Sequence, residues 1–271
     1  MPGVIYLVQP THFDVQYEIN PWMVGNISSV NKLLAMQQWY NLYTLLSRLG
    51  VRTVVLPEAP TNCPDAVFIA NAGLIINNDF FCSSFKHACR IPEEEYFAEY
   101  FTSLKYDTYC LPNDVNFEGA GDALFSTDGK ILFLGNGLRT DNKVYEYIRE
   151  LAYKFKTVQL DLIDPDFYHL DTCFCPLDTG YLLWNERAFS KESADKIREI
   201  YTLDKRIQVG YEDANSFGCN AISVGKSIIM PLVSDALQQI LRSSGHEVHC
   251  VDMSEFIKSG GGPKCCTLLH N

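Results

Sequence analysis

Paired apolar segments recur along the chain at a nearly constant interval. In each pair a polar residue is followed by an apolar stretch, a tight turn and a second apolar stretch. DALFSTDGKILFLG, from Asp122, is an example in which Asp128-Gly129 predicts a hairpin turn. The intervals between the polar marks are 51, 49, 49 and 45 residues, counted from Asn71 through Asp122, Asp171, Asn220 and Cys265. A fixed period of this length indicates a repeat architecture.

Amphipathic helices are predicted between the paired segments. They cover residues 28–49, 92–104, 141–155, 191–203 and 233–243. Each leads into a short β-rich segment, in order VRTVVL, YDTYCL, TVQLDL, RIQVG and EVHCV. The fifth unit reaches only CCTLL, and the N-terminal segment VIYLV would complete it, joining both ends of the chain and removing an open sheet edge. We therefore expect an α/β fold of five αβ units around a central axis, in one domain over residues 1–271.

Composition and charge narrow the class of protein. The chain is 47% hydrophobic and 20% charged, which is ordinary for a soluble globular enzyme, and no apolar run reaches the roughly 20 residues that span a bilayer. MPGVIYLVQP is typical of a buried strand and not of a signal peptide. The formal charge of −11 argues against nucleic acid and suits a cationic small molecule. Ten scattered cysteines without an export signal predict free thiols in a cytoplasmic protein, which could form a homo-oligomer.

A closed ring of repeats would turn equivalent positions toward one axial cavity. The polar residues at that phase are Asn71, Glu118, Asp122, His169, Asp171, Asn220 and Cys265. A nucleophile, a base and several carboxylates in one pocket are typical of an enzyme. Taken singly, each has a plainer interpretation, since cysteine is often a small buried hydrophobe and the others suit turns, surfaces or core hydrogen bonds. Cys265 differs because it follows SGGGPK, a glycine loop of little use in a core.

No metal or cofactor site is predicted. Cys173-Phe-Cys175 and Cys265-Cys266 lack the spacing of zinc ligands. Gly119-Ala-Gly121 lacks the remainder of a dinucleotide-binding fingerprint.

Five segments resemble those of a known superfamily. They are INPWM (19–23), PDAVFIANAG (64–73), FEGAGDAL (117–124), HLDTCF (169–174) and GGGPKCCT (260–267). In this order they resemble the guanidine-modifying branch of the pentein superfamily, whose members are five-bladed αβ propellers and include arginine deiminases, dimethylargininases and amidinotransferases. INPWM and PDAVFIANAG are similar, more narrowly, to the arginine dihydrolase domain of cyanobacterial-type enzymes. The resemblance implies the pentein fold, with pseudo-five-fold symmetry.

The resemblance also implies roles for individual residues. Cys265 would be the nucleophile, His169 the general acid and base, and Glu118 the group that orients His169. Asn71 stands where deiminases have aspartate. The substrate-binding set would be Asp171, Asp122, Asp65, Asn20, Arg90 and Arg139, with the last three at the amino-acid end of the substrate. FEGAGDAL has one residue more than the deiminase pattern, which leaves open whether Asp122 touches substrate or shapes the loop.

The choice between two adjacent cysteines rests on two expectations. Strand alternation would let only one of Cys265 and Cys266 face the cavity. The family pattern of Cys, one residue, then Ser or Thr selects Cys265 with Thr267.

The predicted activity is hydrolysis at the guanidinium carbon of arginine or a close relative. An asparagine at position 71 can both donate and accept hydrogen bonds, so it could also hold the neutral ureido group of citrulline and allow a second hydrolysis to ornithine. This favours an arginine dihydrolase. Three alternatives stay open: a deiminase or dimethylargininase that stops at citrulline, an amidinotransferase, and a non-catalytic pentein binding module.

Overall fold

The chain forms a ring of five three-stranded sheets. A computed structural model describes residues 3–112, 114–151 and 153–270. Each sheet has two antiparallel strands and a third strand parallel to the middle one. Four sheets follow chain order: β3(Gly73–Ile76), β4(Asp79–Cys82) and β5(Asp107–Tyr109); β6(Ala123–Phe125), β7(Ile131–Asn136) and β8(Lys156–Asp161); β9(Phe174–Pro176), β10(Leu182–Trp184) and β11(Arg206–Gln208); β12(Ile222–Val224), β13(Ser227–Pro231) and β14(Glu247–Val251).

The fifth sheet joins the two ends of the chain. Its strands are β1(Val4–Leu7), β2(Thr53–Val55) and β15(Leu268–His270), in the order β15-β1-β2. Tyr6 pairs with Leu268 on one side and with Val54 on the other. The N-terminal strand thus completes the truncated fifth unit, and the predicted five-bladed αβ propeller is confirmed. The single domain over 1–271 stays a prediction.

One helix precedes the third strand of each blade. These helices are α1(Lys32–Arg48), α2(Pro92–Ser103), α3(Val144–Leu151), α4(Lys191–Ile200) and α6(Asp235–Ser243), and two shorter ones are α5(Tyr211–Asn215) and α7(Ser254–Ile257). α1 begins four residues after the predicted start because the Asn31 side chain caps it by accepting a hydrogen bond from the Leu34 amide. It buries Trp39 and Leu42 against the sheet at the chain ends. No helix in the described part of the chain is both long and apolar enough to cross a membrane.

Two of the five polar marks, Asn71 and Asp171, lie in short 3₁₀ segments and not in strands, and Asp122 directly follows a third such segment. Ile69–Ala72, Gly119–Gly121 and Leu170–Thr172 directly precede β3, β6 and β9. The prediction of a strand through DAVFIANAG is therefore wrong in its first half: the Phe68 and Asn71 amides bond locally, to the carbonyls of Asp65 and Phe68. Burial around the axis explains the apolar composition there. The three segments approach one another closely, and a Cβ on Gly119, whose φ is +59°, would lie 2.6 Å from the Gly73 nitrogen.

Candidate active site

Cys265 is buried beside a carboxylate and an amide. Its Sγ lies 3.5 Å from Asp171 Oδ2 and 3.0 Å from Asn220 Nδ2. Asn220 Oδ1 also accepts a hydrogen bond of 3.1 Å from the Cys265 backbone amide. The Asn220 side chain therefore holds both the backbone and the sulfur of Cys265. The repeat predicts Asn220 at the axial phase but does not predict this role.

The cysteine pair lies in a turn, so strand alternation is the wrong reason for distinguishing its members. β15 begins only at Leu268, and a Thr267 amide to Lys264 carbonyl bond closes the preceding turn. Cys265 lines a small enclosed cavity, whereas Cys266 has no exposed surface and packs in the apolar core. The turn conformation separates the two side chains.

His169, Glu118 and Arg139 are in contact with one another on a second side of the cavity. His169 Nε2 lies 2.7 Å from Glu118 Oε2, and Arg139 Nη1 donates to the same oxygen at 2.9 Å. Burial by itself would raise the pKa of Glu118, but Arg139 and His169 hold that pKa well below its usual range. Glu118 therefore stays ionised and can stabilise a protonated His169.

Asn71 is held by a buried ion pair. Arg90 Nη1 donates to Asn71 Oδ1 at 2.9 Å. The remaining guanidinium edge of Arg90 makes two bonds to Glu93, at 2.9 and 2.8 Å, and Glu93 has no exposed surface. Asn71 Nδ2 donates to the Glu118 carbonyl at 3.4 Å, and a Cβ on Gly121 would lie 2.3 Å from that nitrogen. Arg90 is thus committed to Glu93 and fixes the amide of Asn71.

The INPWM segment closes a further wall. Asn20 Oδ1 accepts from the Trp22 and Met23 amides, and its Nδ2 donates to the Ser259 carbonyl at 3.0 Å. Arg139 Nη2 donates to the Ile19 carbonyl at 2.9 Å. The segment is tied in this way to the glycine loop that precedes Cys265.

Asp65 and Asp171 are buried acids on this cavity or beside it. Asp65 lines it and accepts hydrogen bonds from Tyr17 and Ser259, at 2.8 and 3.1 Å. Burial raises the pKa of both Asp65 and Asp171. A cation placed between them would favour their charged forms. Tyr17 and Ser259 went unnoticed in the sequence because neither lies at the repeat phase.

Asp122 makes different contacts from those of Asp65 and Asp171. Its two oxygens accept hydrogen bonds from Thr140 Oγ1 at 2.7 Å and from the Leu170 amide at 2.9 Å. Burial raises its pKa to about 6, against the opposing effect of His169. Asp122 is absent from the lining of the cavity. Of the two alternatives left open, the geometry favours shaping of the turn that carries His169 and Asp171.

Cys265 itself is a thiol in this environment. Burial raises the pKa of the Cys265 thiol well above the usual value, and the neighbouring Asp171 carboxylate raises it further. A nearby positive charge would therefore be needed to ionise it. In the described residues no group of three or more His, Cys, Asp or Glu side chains is arranged to hold a metal ion.

Sequence comparison finds relatives along almost the whole chain. Residues 15–270 match the model of the family described as N,N dimethylarginine dimethylhydrolase, eukaryotic. The bifunctional arginine dihydrolase/ornithine cyclodeaminase AgrE of Nostoc sp. is 42% identical over 259 residues, 96% of this chain and 36% of the relative. The N(G),N(G)-dimethylarginine dimethylaminohydrolase of Mycobacterium tuberculosis is 35% identical over 262 residues, 97% of this chain and 84% of the relative. The chain spans little more than a third of the length of AgrE.

Solved structures show the same fold. The N-terminal domain of ArgZ, an arginine dihydrolase from the ornithine-ammonia cycle in cyanobacteria, was solved as a cysteine-to-serine mutant bound to substrate. It superposes with a TM-score of 0.95 at 41% identity, over 98% of this chain and 97% of that one. An asparagine-to-serine mutant of that domain, covalently bound to a reaction intermediate, has a TM-score of 0.96 at 41% identity, over 99% and 97% of the two chains. The family match and these relatives together show that the chain belongs to the dimethylarginine dimethylhydrolase family of penteins.

Proposed function

We propose that this chain is an arginine dihydrolase that uses Cys265 as its nucleophile and converts arginine to ornithine, two ammonia and carbon dioxide. One observation carries the proposal: Cys265 and His169 line one cavity, with the Asp171 carboxylate 3.5 Å from Cys265 Sγ and Glu118 behind His169. A thiol, a positioned base and a carboxylate around one small space are the parts needed for attack on a planar cation.

Substrate binding would itself activate the nucleophile. Without a bound cation, burial and Asp171 keep Cys265 protonated. A guanidinium brings a positive charge that stabilises both the Asp171 carboxylate and the thiolate. A neutral compound of the same shape brings no such charge, so Cys265 would add to it only as His169, which lines the same cavity, takes the thiol proton, and the first step would favour cations.

The first hydrolysis follows from the arrangement. The Cys265 thiolate adds to the central guanidinium carbon, and one C–N bond breaks as His169 gives a proton to the departing ammonia. The S-alkylthiouronium that remains is attacked by water, from which His169 takes a proton, and citrulline is released with the thiol restored. Glu118 stabilises His169 in its protonated form through the 2.7 Å contact.

A second turn of the same chemistry would convert citrulline to ornithine. Attack on the ureido carbon expels a second ammonia and leaves an S-linked thiocarbamate. Hydrolysis of that ester gives a carbamic acid, which loses carbon dioxide and leaves ornithine. Asn71 supports this step because its amide, held by Arg90 at 2.9 Å, has a further N–H and an oxygen lone pair to offer a neutral ureido group.

Two comparisons support the longer reaction. Both AgrE and ArgZ carry arginine dihydrolase in their names, and the ArgZ domain retains a covalent intermediate when an asparagine is replaced by serine. The second candidate is a dimethylarginine dimethylaminohydrolase. It is favoured by the family model over residues 15–270 and by the relative from Mycobacterium tuberculosis.

Product analysis tests the proposal. Purified protein is incubated separately with arginine, citrulline and asymmetric dimethylarginine, and ammonia, dimethylamine, citrulline and ornithine are quantified, with Cys265→Ser as the inactive control. The proposal predicts two ammonia and one ornithine per arginine, and ornithine from supplied citrulline. Accumulation of citrulline that is not consumed would reject the dihydrolase, and release of dimethylamine in preference to ammonia would establish the second candidate.

A further inference from the structure

A second and larger cavity, of about 450 Å³, lies on the axis of the propeller. The innermost strands of all five blades line it, through Leu74, Ala123, Phe174, Ile222 and Leu269. The site around Cys265 is built on the 3₁₀ segments that precede three of these strands. The axial cavity extends to their other ends, where the hairpin residues Ser126–Gly129 form part of its rim.

Among the residues that the structure describes, Lys264 is the one cationic side chain that lines this axial cavity. It is 8% exposed, and its Nζ is buried with no hydrogen-bond partner among the residues that the structure describes. The Asp171 carboxylate attracts this ammonium through space, but no acceptor among the described residues satisfies its N–H groups, and burial of such a group is unfavourable. Lys264 lies at the inner end of a cavity of about 450 Å³. That volume can hold a small molecule, since ligand sites commonly begin at about 300 Å³.

The other residues that line the cavity limit which ligands could bind beside Lys264. The walls are largely aliphatic and aromatic, and they suit the apolar body of a ligand. The rim carries Asp128 and Asp178, which are engaged locally: Asp128 pairs with Lys130 at 3.1 Å, and Asp178 accepts from the Gly225 amide at 2.7 Å. These carboxylates disfavour a ligand with a second negative charge at its outer end.

We propose that the axial cavity binds a small organic monocarboxylate, with its carboxylate on the Lys264 ammonium and its apolar body against the inner strands. The site is distinct from the catalytic one. Lys264 lines the axial cavity, whereas the adjacent residue Cys265 lines the catalytic cavity. Both cavities can therefore be occupied at once, which separates this inference from the proposed function.

Calorimetric titration with sodium butyrate tests the site. The full chain carrying Cys265→Ser is first saturated with arginine, so that the catalytic cavity is filled, and sodium chloride at equal ionic strength serves as the reference anion. Saturable binding of butyrate is expected, with weaker binding of acetate, whose apolar body is smaller, and weaker binding of the dianion succinate. Failure of Cys265→Ser to bind arginine would contradict the proposed function alone.

Variants at position 264 locate the binding. Lys264→Met should weaken butyrate at least about tenfold, because a charge-assisted hydrogen bond is lost, while Lys264→Arg should retain most of the affinity. Lys226→Met removes an exposed charge from the neighbouring β12–β13 turn and should change nothing. The inference is overturned if butyrate does not saturate, if chloride or succinate binds as tightly, or if Lys264→Met binds like the parent. The acetate-to-butyrate comparison needs no change at position 264, so it decides the question even if Lys264→Met does not fold.

Discussion

Replacing Asn71 by aspartate should change how far the reaction proceeds. Asn71 is 2% exposed, its Oδ1 lies 2.9 Å from Arg90 Nη1, and its Nδ2 lies 3.4 Å from the Glu118 carbonyl. Asn71→Asp keeps the acceptor for Arg90, removes the donor and adds a negative charge. A guanidinium cation tolerates that charge. The oxygen of a neutral ureido group is repelled by it and loses a hydrogen bond.

The size of the effect follows from the contacts of Arg90. Its guanidinium already makes two bonds to Glu93, at 2.9 and 2.8 Å, so it neutralises a new carboxylate at position 71 only in part. Losing a hydrogen bond to the ureido group and facing a charge costs about 1.5–3 kcal/mol. The second hydrolysis should therefore slow by roughly 10-fold to 150-fold relative to the first.

The assay is the ratio of ammonia released to arginine consumed, with citrulline and ornithine measured in the same samples. We expect this ratio to fall from two to about one in Asn71→Asp, with citrulline accumulating. Asn78→Asp, an exposed asparagine in the β3–β4 turn of the same blade, is the matched control and should keep the parent ratio. If Asn71→Asp still releases two ammonia per arginine without citrulline, Asn71 does not select the ureido group and the reasoning is wrong.

Three further predictions concern the catalytic groups. Glu118→Gln should lower kcat by about 10³-fold or more, by analogy with loss of the orienting carboxylate behind a catalytic histidine. The same substitution should lower the free energy of unfolding by about 3–5 kcal/mol because Arg139 is left buried and unpaired. The pKa of Glu118 is held below its usual range, so its stabilising effect is present above the unfolded carboxylate pKa of about 4.3 and is lost as the pH falls through the folded value. The free energies of unfolding of parent and variant should therefore converge in acid. Cys265→Ser should abolish turnover while Cys266→Ala keeps most of it, and the reverse result in steady-state assays would reassign the nucleophile. Without arginine, alkylation of Cys265 by neutral iodoacetamide should be slower at pH 7 than that of a free thiol, and its rate should rise with pH up to pH 9, because burial raises the pKa of Cys265. Peptide mass spectrometry measures this rate. Faster alkylation would show that the thiolate forms without a substrate cation.

The ring of five blades could be predicted because its signals are local and repeated. A hairpin such as the one at Asp128-Gly129 needs only a turn and two flanking apolar strands, and Gly129 has the positive φ, 66°, that the turn requires. Each helix places its apolar face at the period of its own turns. The interval near 50 residues then brings equivalent positions of every blade to one axis. For this reason the spacing along the chain predicts that Cys265, His169 and Glu118 lie together.

Other features depended on contacts between distant parts of the chain. DAVFIANAG was expected as a strand because its apolar run reports burial, and burial does not distinguish a strand from a 3₁₀ segment packed on the axis. Strand alternation likewise does not distinguish Cys265 from Cys266, since the pair lies in a turn.

The sequence by itself determined the repeat, the closure of the ring and the residue types that meet at its axis. Tertiary structure alone decided what each polar side chain does there. Arg90 is committed to Glu93, Asp122 to Thr140, and Asn220 to Cys265. Lys264 is buried at a cavity without a hydrogen-bond partner among the described residues. Apolar periodicity reports which face of an element is buried. The partner of a buried polar group depends on how the chain packs around it, within one blade for Arg90 and Asp122 and between blades for Asn220.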